Sequence, residues 1–456
     1  MTSMKRLVVL ILLVGLLIAP GRLTAQENNR STQEDTYAKI KVLSLVLHEI
    51  QKKYVEDTKP EELIYGAIRG MLRTLDPHSA FMTPEEMKDF QVETRGSFSG
   101  VGIEITIKDG LPVVVSPIEG SPAHKAGLQV GDQILKIDGA STKDMTLLDV
   151  VRRIRGPQGS TVVLTVVHEG EQKPLDVPIV RAVIPLRSVR YEVLEKGYGY
   201  IRVTNFQGDT ADAVEKALTA LQSETPPLKG LILDLRSNPG GLLDQSVRTA
   251  SHFLKSGGLV VYTKGKIEEQ NMELKASGGT RARDFPMVVL VNEGSASASE
   301  IVAGALQDHK RALVVGAKTF GKGSVQTIIP LPDGSGLRLT TARYYTPLGR
   351  SIQATGINPD VLVPSRLSRR GKVLREKDLD QHLTGENETS DKTGPIPEET
   401  PEGAKEESKE DKGPGKLPSQ MTLQERLEAD PQLKRALEML KKNEVQSLLK
   451  AAKAAK

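Results

Sequence analysis

The most constraining feature of this chain is a regular alternation of strand-like and helix-like segments after Ala182. Tyr198–Val203 reads as a strand and Asp209–Ser223 as an amphipathic helix. Gly230–Leu235 reads as a buried strand ending in the turn Asn238-Pro239-Gly240-Gly241, and Leu242–Leu254 as a helix. Val260–Thr263 and Met287–Val291 are further strands, followed by a helix over Ser297–Asp308 and a strand over Ala312–Val315. Alternation of this kind predicts a layered sheet with covering helices.

A different rhythm precedes it. From Ser97, apolar residues recur with a period of two through GVGIEITIKDGLPVVVSPIEGSPAHKAGLQVGDQILKIDG, in short runs broken by Gly, Pro and Asp turns. Ser141–Arg155 then reads as a helix, through Leu147, Leu148, Val151 and Ile154, and Thr161–His168 as a strand. This succession resembles a PDZ domain, with Ala126-Gly127-Leu128, Gly131-Asp132 and Asp138-Gly139 as specific marks. In that resemblance Gly100-Val101-Gly102-Ile103 takes the place of the carboxylate-binding loop. Consecutive backbone amides around glycine form a nest for the terminal anion of a peptide.

The two ends of the chain have other characters. Ile40, Leu43, Leu47, Ile50 and Tyr54 follow helical spacing between Tyr37 and Tyr54. A second helix is predicted to start near Thr58, with Pro60 in its first turn and Glu61 completing a capping box. Thr83-Pro84-Glu85-Glu86 repeats the start signal, and such helices often serve in dimerisation. Ahead of them, Lys5 and Arg6 precede an apolar run, Leu7–Ala19, and Leu23-Thr24-Ala25 offers a cleavage site before Gln26. The run is short for a membrane span, so it reads as a cleaved signal for export to the periplasm or envelope of a bacterium, with an uncleaved anchor as the alternative. Near the other end, Gly385–Pro418 is charged, rich in Pro and Gly, and nearly without apolar residues, which predicts a disordered linker. Leu423, Leu427, Leu433, Ala436 or Leu437, Leu440 and Leu448 then mark an amphipathic tail, predicted to dock on a partner subunit or on the core rather than to stand as a solvated helix.

Lys+Arg total 62 against Asp+Glu 58, and Trp is absent, so neither a basic nucleic-acid footprint nor a stacking platform is expected. With no cysteine, a thiol nucleophile and a thiolate metal site are excluded. The histidines show no metal spacing, and no metal or other cofactor is expected.

The chemistry concentrates in VNEGSASASEIVAGALQDHKRALVVGAKTFGKGSVQT. A strand runs into Gly294-Ser295-Ala296-Ser297, which opens a helix, so Ser297 is placed where amides and the helix dipole stabilise a developing oxyanion. A glycine-rich loop presents Lys322, which serves as a base where burial lowers its proton affinity, with Gln326 able to hold the amine. Gly316-x-x-x-x-Gly321-Lys322 is nearly a phosphate-binding loop. Gly323 stands where Ser or Thr should follow, however, and the next segment reads as a strand rather than a helix. A Ser/His/Asp arrangement would have to use His309 and Asp308, which lie at the far end of the helix from Ser297 and read as a solvated terminus. A second oxyanion donor is expected from the Gly240-Gly241 turn.

Taken together, YVEDTKPEELIYGAIRGMLRTLDPHSAFMTPEE, the PDZ segment, DLRSNPGGLL, EGSASASEI, TFGKGSVQ and LPDGSGLRLTTARYYTPLGRSIQATGINPD resemble the carboxy-terminal processing peptidases, or tail-specific proteases, from about Tyr54 to His382. The resemblance implies a multidomain α+β protein with an α/β layered serine-peptidase core and an inserted PDZ domain. It implies Ser297 as nucleophile, Lys322 as general base, Gln326 as the residue orienting the lysine, and the amide of Ala298 with Gly240 or Gly241 as oxyanion donors. It implies that the PDZ domain binds substrate tails and gates activity, with Arg155 a candidate for the coupling, and that the partners are proteins with flexible carboxy-terminal tails. A homodimer or higher oligomer through the terminal helices is a further expectation. A non-catalytic PDZ adaptor with a peptidase-like shell is the rival, against which intact Ser297, Lys322 and Gln326 argue. The expected organisation is signal 1–25, helical region 26–95, PDZ domain 96–182, peptidase core 183–384, linker 385–418 and helical tail 419–456.

Overall fold

The computed structural model describes residues 20–143, 145–168, 170–171, 173–277, 284–365, 373–386 and 421–454. The apolar run expected to be a leader, and nearly all of the expected linker, lie outside the described residues. The chain divides into two units, one ending at Thr74 and one beginning at Leu75. The first holds helices α1 (Pro20–Lys53) and α2 (Pro60–Arg73). α1 is longer than the spacing predicts. The capping residue of α2 is Lys59 rather than Thr58, and it makes no side-chain cap; Pro60 in the first turn sets the entry instead.

In the second unit β1 (Ala80–Met82) leads into α3 (Pro84–Arg95), whose start is a true capping box. The Glu86 amide donates to Thr83 Oγ1 at 3.2 Å and the Thr83 amide to Glu86 at 2.7 Å. The PDZ region comprises β2 (Ser97–Gly100), β3 (Ile103–Lys108), β4 (Leu111–Pro117), the short α4 (Pro122–Lys125), β5 (Gln133–Ile137), β6 (Ala140–Ser141), α5 (Leu147–Ile154), β7 (Thr161–Val167), β8 (Leu175–Val180) and β9 (Ala182–Pro185). Its main sheet runs β3-β4-β5-β7-β8 around its own core of Val114, Ile134, Val150, Val162 and Leu164, while β2 and β9 pair as a ribbon where the chain enters and leaves.

Beyond this come β10 (Val189–Glu195), β11 (Tyr198–Val203), α6 (Thr210–Glu224), β12 (Gly230–Asp234), α7 (Leu243–Ser251), β13 (Leu259–Gly265), β14 (Glu273–Lys275), β15 (Met287–Val291), α8 (Ala298–Asp308), β16 (Leu313–Gly316), β17 (Ser324–Pro330), β18 (Gly336–Tyr345) and β19 (Val361–Leu362). One sheet runs β10-β11-β12-β15-β16-β19, parallel from β11 onward. β12 and β15 are buried at every residue because the sheet is covered on both sides. Leu231, Leu233, Val289 and Val291 face a core built with α6, α7 and α8. Ile232, Val288, Leu290 and Val315 face the opposite way and are covered by the tail helices α9 (Leu423–Ala429), α10 (Pro431–Lys441) and α11 (Glu444–Ala454), chiefly through Leu433, Leu437 and Leu440 of α10. Burial of each such leucine is worth about 1.5–3 kcal/mol. Of the two docking places expected for the tail, the structure shows the core. A second sheet, β1-β18-β13-β14 with β17 on β18, carries the residues that follow the lysine. Among the described residues no helix is long and apolar enough to cross a membrane.

Candidate active site

β15 delivers the chain into the turn Asn292–Ala296, and Ser297 stands immediately before α8 with φ 53° and ψ −115°. A serine held at positive φ is strained and persists only where its surroundings over-determine it. Those surroundings also separate the three serines of the turn. Ser295 Oγ donates to the Leu235 carbonyl at 2.8 Å and Ser299 Oγ to the Asn238 carbonyl at 2.9 Å, so both hydroxyls serve the fold. Ser297, 7% exposed, has its hydroxyl beside the buried Tyr344 phenol instead. Burial pushes the Tyr344 phenol up to about 12, so it is a neutral partner at ordinary pH.

The turn Asn238–Gly241 abuts the serine. Asn238 is fully buried and fixes the turn: its side chain donates to the Val203 carbonyl at 3.0 Å and accepts the Gly240 amide at 2.9 Å. A Cβ on Gly240, at φ +110°, would lie 2.8 Å from Ser297 Cβ; one on Gly241, at φ +136°, would strike the Phe206 carbonyl at 2.1 Å. Only glycine fits either place. Asn238 takes the Gly240 amide, whereas the amides of Gly241 and Ala298, which flank Ser297, have no protein acceptor among the described residues.

The loop between β16 and β17 carries Lys322, half-buried, beside the fully buried Glu300 of α8. Glu300 ties the two halves of the site together. It accepts the Ser297 amide at 2.8 Å, the Gly321 amide at 2.8 Å, the Lys322 amide at 3.0 Å and the Thr319 hydroxyl at 2.5 Å. Burial outweighs these donors and pushes its carboxyl up to about 7. For Lys322, burial and then the Arg338 charge lower the proton affinity of the amine, against the opposing pull of Glu376, Asp76 and Glu300. No hydrogen bond joins the Lys322 amine to Ser297 or to Gln326 among the described residues. Gln326 gives its amide hydrogens to Ser324 Oγ at 2.9 Å and Thr340 Oγ1 at 3.3 Å. The chain therefore brings the backbones of Ser297 and Lys322 onto one carboxylate, while the serine hydroxyl lies beside Tyr344. Glu300 carried a legible signal, since Ser297-x-x-Glu300 at a helix start is a capping pattern. Tyr344, far along the chain on β18, carries none.

His309 and Asp308 are engaged away from the serine. His309 Nε2 lies 2.6 Å from the Leu259 carbonyl. Asp308, expected to be solvated, has a carboxylate only 3% exposed, because it accepts the Leu348 amide at 2.9 Å and pairs with Arg350.

In the PDZ region Gly102 has φ +79°, and its carbonyl accepts the Ile118 amide and the Ser121 hydroxyl at 2.9 and 3.0 Å. The Val101 and Gly102 amides have no protein acceptor among the described residues. Arg155 follows α5, lies over the Phe98 ring at 4.8 Å and reaches Asp89 of α3 at 3.7 Å, while Arg152 reaches Glu85 at 3.4 Å. α3 in turn packs Met87 against Gly336 at the start of β18.

Comparison with known proteins matches residues 197–363 to the model of peptidase family S41, residues 113–167 to that of the PDZ domain, and residues 19–86 to that of the activating protease CtpB N-terminal domain. The carboxy-terminal-processing protease of Bartonella bacilliformis is 44% identical over 376 residues, covering 81% of this chain and 86% of that protein. The carboxyl-terminal-processing protease of a Synechocystis strain is 38% identical over 361 residues, covering 76% and 83%. Among solved structures, a photosystem II D1 C-terminal processing protease is 34% identical and covers 74% of this chain and 92% of that one, with a TM-score of 0.42. The chain thus belongs to the carboxy-terminal-processing proteases of peptidase family S41.

Proposed function

We propose that this protein is an exported serine endopeptidase that cleaves other proteins near their carboxy-termini with Ser297 as nucleophile and Lys322 as base. The observation that carries the reading is the Glu300 carboxylate, which receives both the Ser297 and the Lys322 amides. Ser297 Oγ turns from Tyr344 to the lysine, attacks the scissile carbonyl and passes its proton to Lys322 Nζ. Gln326, whose amide oxygen accepts no bond among the described residues, holds the amine. The Ala298 and Gly241 amides receive the oxyanion. Lys322 then protonates the leaving amine, and water, activated by the same lysine, releases the acyl group.

Substrate tails enter through the PDZ loop, where the Val101 and Gly102 amides receive the free carboxylate. Arg155 and Arg152, touching α3, relay occupancy towards β18 and the residues that surround the lysine. Export rests on Lys5, Arg6 and the apolar run that follows. Self-association rests on α1, where Ile40, Leu43 and Val46 are exposed. The decisive experiment is cleavage of a disordered protein substrate by wild type, Ser297→Ala and Lys322→Ala. Either substitution abolishes turnover, because nucleophile and base act as one unit; wild-type rates in either variant overturn the assignment. A substrate ending in a carboxamide should be captured about ten-fold less well, the worth of charge-assisted bonds to the anion.

A further inference from the structure

Lys322 is surrounded by charged and polar groups from segments far from it in sequence. In the turn Asp76–Ser79 the Asp76 carboxylate accepts the His78 and Ser79 amides, each at 2.9 Å, the Ser79 hydroxyl at 2.7 Å and the Thr340 hydroxyl at 3.1 Å. Thr340 also receives the Gln326 amide. On the other side, His78 Nε2 lies 2.8 and 2.9 Å from the two oxygens of Glu376. Glu376 further accepts the Gln353 amide at 3.0 Å, and Gln353 Oε1 accepts the amide of Gly323, the residue after Lys322, at 3.0 Å. Arg338 of β18 donates to the His78 carbonyl at 3.0 Å. Asp76 is 6% exposed and Glu376 not at all.

Two buried carboxylates beside one lysine exceed what a serine–lysine pair requires, and buried charge is retained only where it is compensated. We propose that the turn Asp76–Ser79 and Glu376 form a charged cradle for the base, in which Asp76 and Glu376 are positioning residues that fix where the Lys322 amine lies and how readily it takes a proton. The proposal rests on Lys322 being the base. Both carboxylates connect by hydrogen bonds to the base's own strand and loop: Asp76 through Thr340 to Gln326, and Glu376 through Gln353 to Gly323. They also act on the amine directly. The groups acting on it are Asp76, Glu376 and Glu300 on the negative side and Arg338 on the positive. Burial and Arg338 favour the neutral amine that can accept the serine proton, and the carboxylates restrain that shift. A base works best when its proton affinity lies near the working pH, and such a balance of opposed charges can set it there.

The test uses the full chain and a fluorogenic peptide at concentrations well below KM, with kcat/KM followed across pH. Loss of a negative charge beside an ammonium lowers its pKa. Glu376→Gln and Asp76→Asn should therefore each move the acid limb of the profile to lower pH, by roughly 0.5–1 unit. Arg338→Gln removes a positive charge and should move the limb to higher pH, which gives an independent reading should a carboxylate variant fold poorly. A merely structural role would lower the plateau and leave the limb in place. Limbs that stay at the wild-type position, or that move in the same direction in the Arg338 and Glu376 variants, overturn the cradle. Lys322→Ala, inactive in the same assay, shows that the base assignment stands whatever the cradle variants do; an active Lys322→Ala removes both.

Discussion

Around Ser297, the bonds that shape the turn run largely to the backbone of the neighbouring loop: Ser295 to Leu235, Ser299 and Ala296 to Asn238, with Gly240 pressed against the serine itself. Around Lys322 they run to side chains, Glu300, Gln353, Glu376, Thr340 and Asp76, which come from remote parts of the chain. A nucleophile must be placed against an oxyanion site to within a fraction of an ångström, and backbone packed on backbone achieves that. A base must in addition have its proton affinity set, and burial together with charged side chains does so.

The largest effect should come from breaking the rigid half. Gly240→Ala sets a Cβ against Ser297 at a backbone angle that alanine resists, and kcat should fall by about 10²–10³-fold with far-ultraviolet circular dichroism unchanged. Retention of activity within ten-fold would mean that the turn yields. Glu300→Gln strikes the point where the halves meet, since an amide cannot accept from all four donors, and kcat should fall by roughly 10–100-fold. This variant has a pH signature as well. The folded carboxyl, near 7, lies above its unfolded value of about 4.5, so the folded state binds the extra proton between them. Its stabilising contribution is complete below the unfolded value and is lost as pH rises through 7. The melting-temperature advantage of wild type over Glu300→Gln should therefore shrink from about pH 5 to pH 7. Thr340→Val severs the link between Asp76 and Gln326 but leaves every charge in place, so kcat/KM should drop only several-fold and the acid limb should stay where it is. Least affected in rate are Ser295→Ala and Ser299→Ala, within about two-fold of wild type, although each should lose about 1–2 kcal/mol of stability in denaturant melts because a buried carbonyl loses a hydroxyl donor.

The same contrast explains what the sequence discloses. The serine turn, the Gly-Gly turn and the glycine-flanked lysine are local patterns, and the parallel strands reveal themselves by continuous apolar runs that two covering layers demand. Glu300 lies inside the run EGSASASEI and is detectable as a capping partner of Ser297. The groups around Lys322 were not detectable, because an aspartate at 76 and a glutamate at 376 meet near a lysine only once β1 has paired with β18 and the turn over Glu376–Asp378 has folded back. Asp308 misled for the same reason: its partners, Leu348 and Arg350, belong to another segment. Thr58 offered a plausible cap, yet the helix begins one residue later and relies on Pro60.

The second covering layer of the parallel sheet has a consequence in time. Ile232, Val288, Leu290 and Val315 are sealed by residues 433–445, which are synthesised after every strand of that sheet. Until those residues have emerged, the growing polypeptide keeps one greasy side of its central sheet bare, and Arg236, just ahead of the glycine turn beside Ser297, lacks its partners Asp430 and Gln432. A nascent chain halted anywhere before that point would be incomplete, so the order of synthesis itself delays the closing of the sheet until the tail helices have emerged.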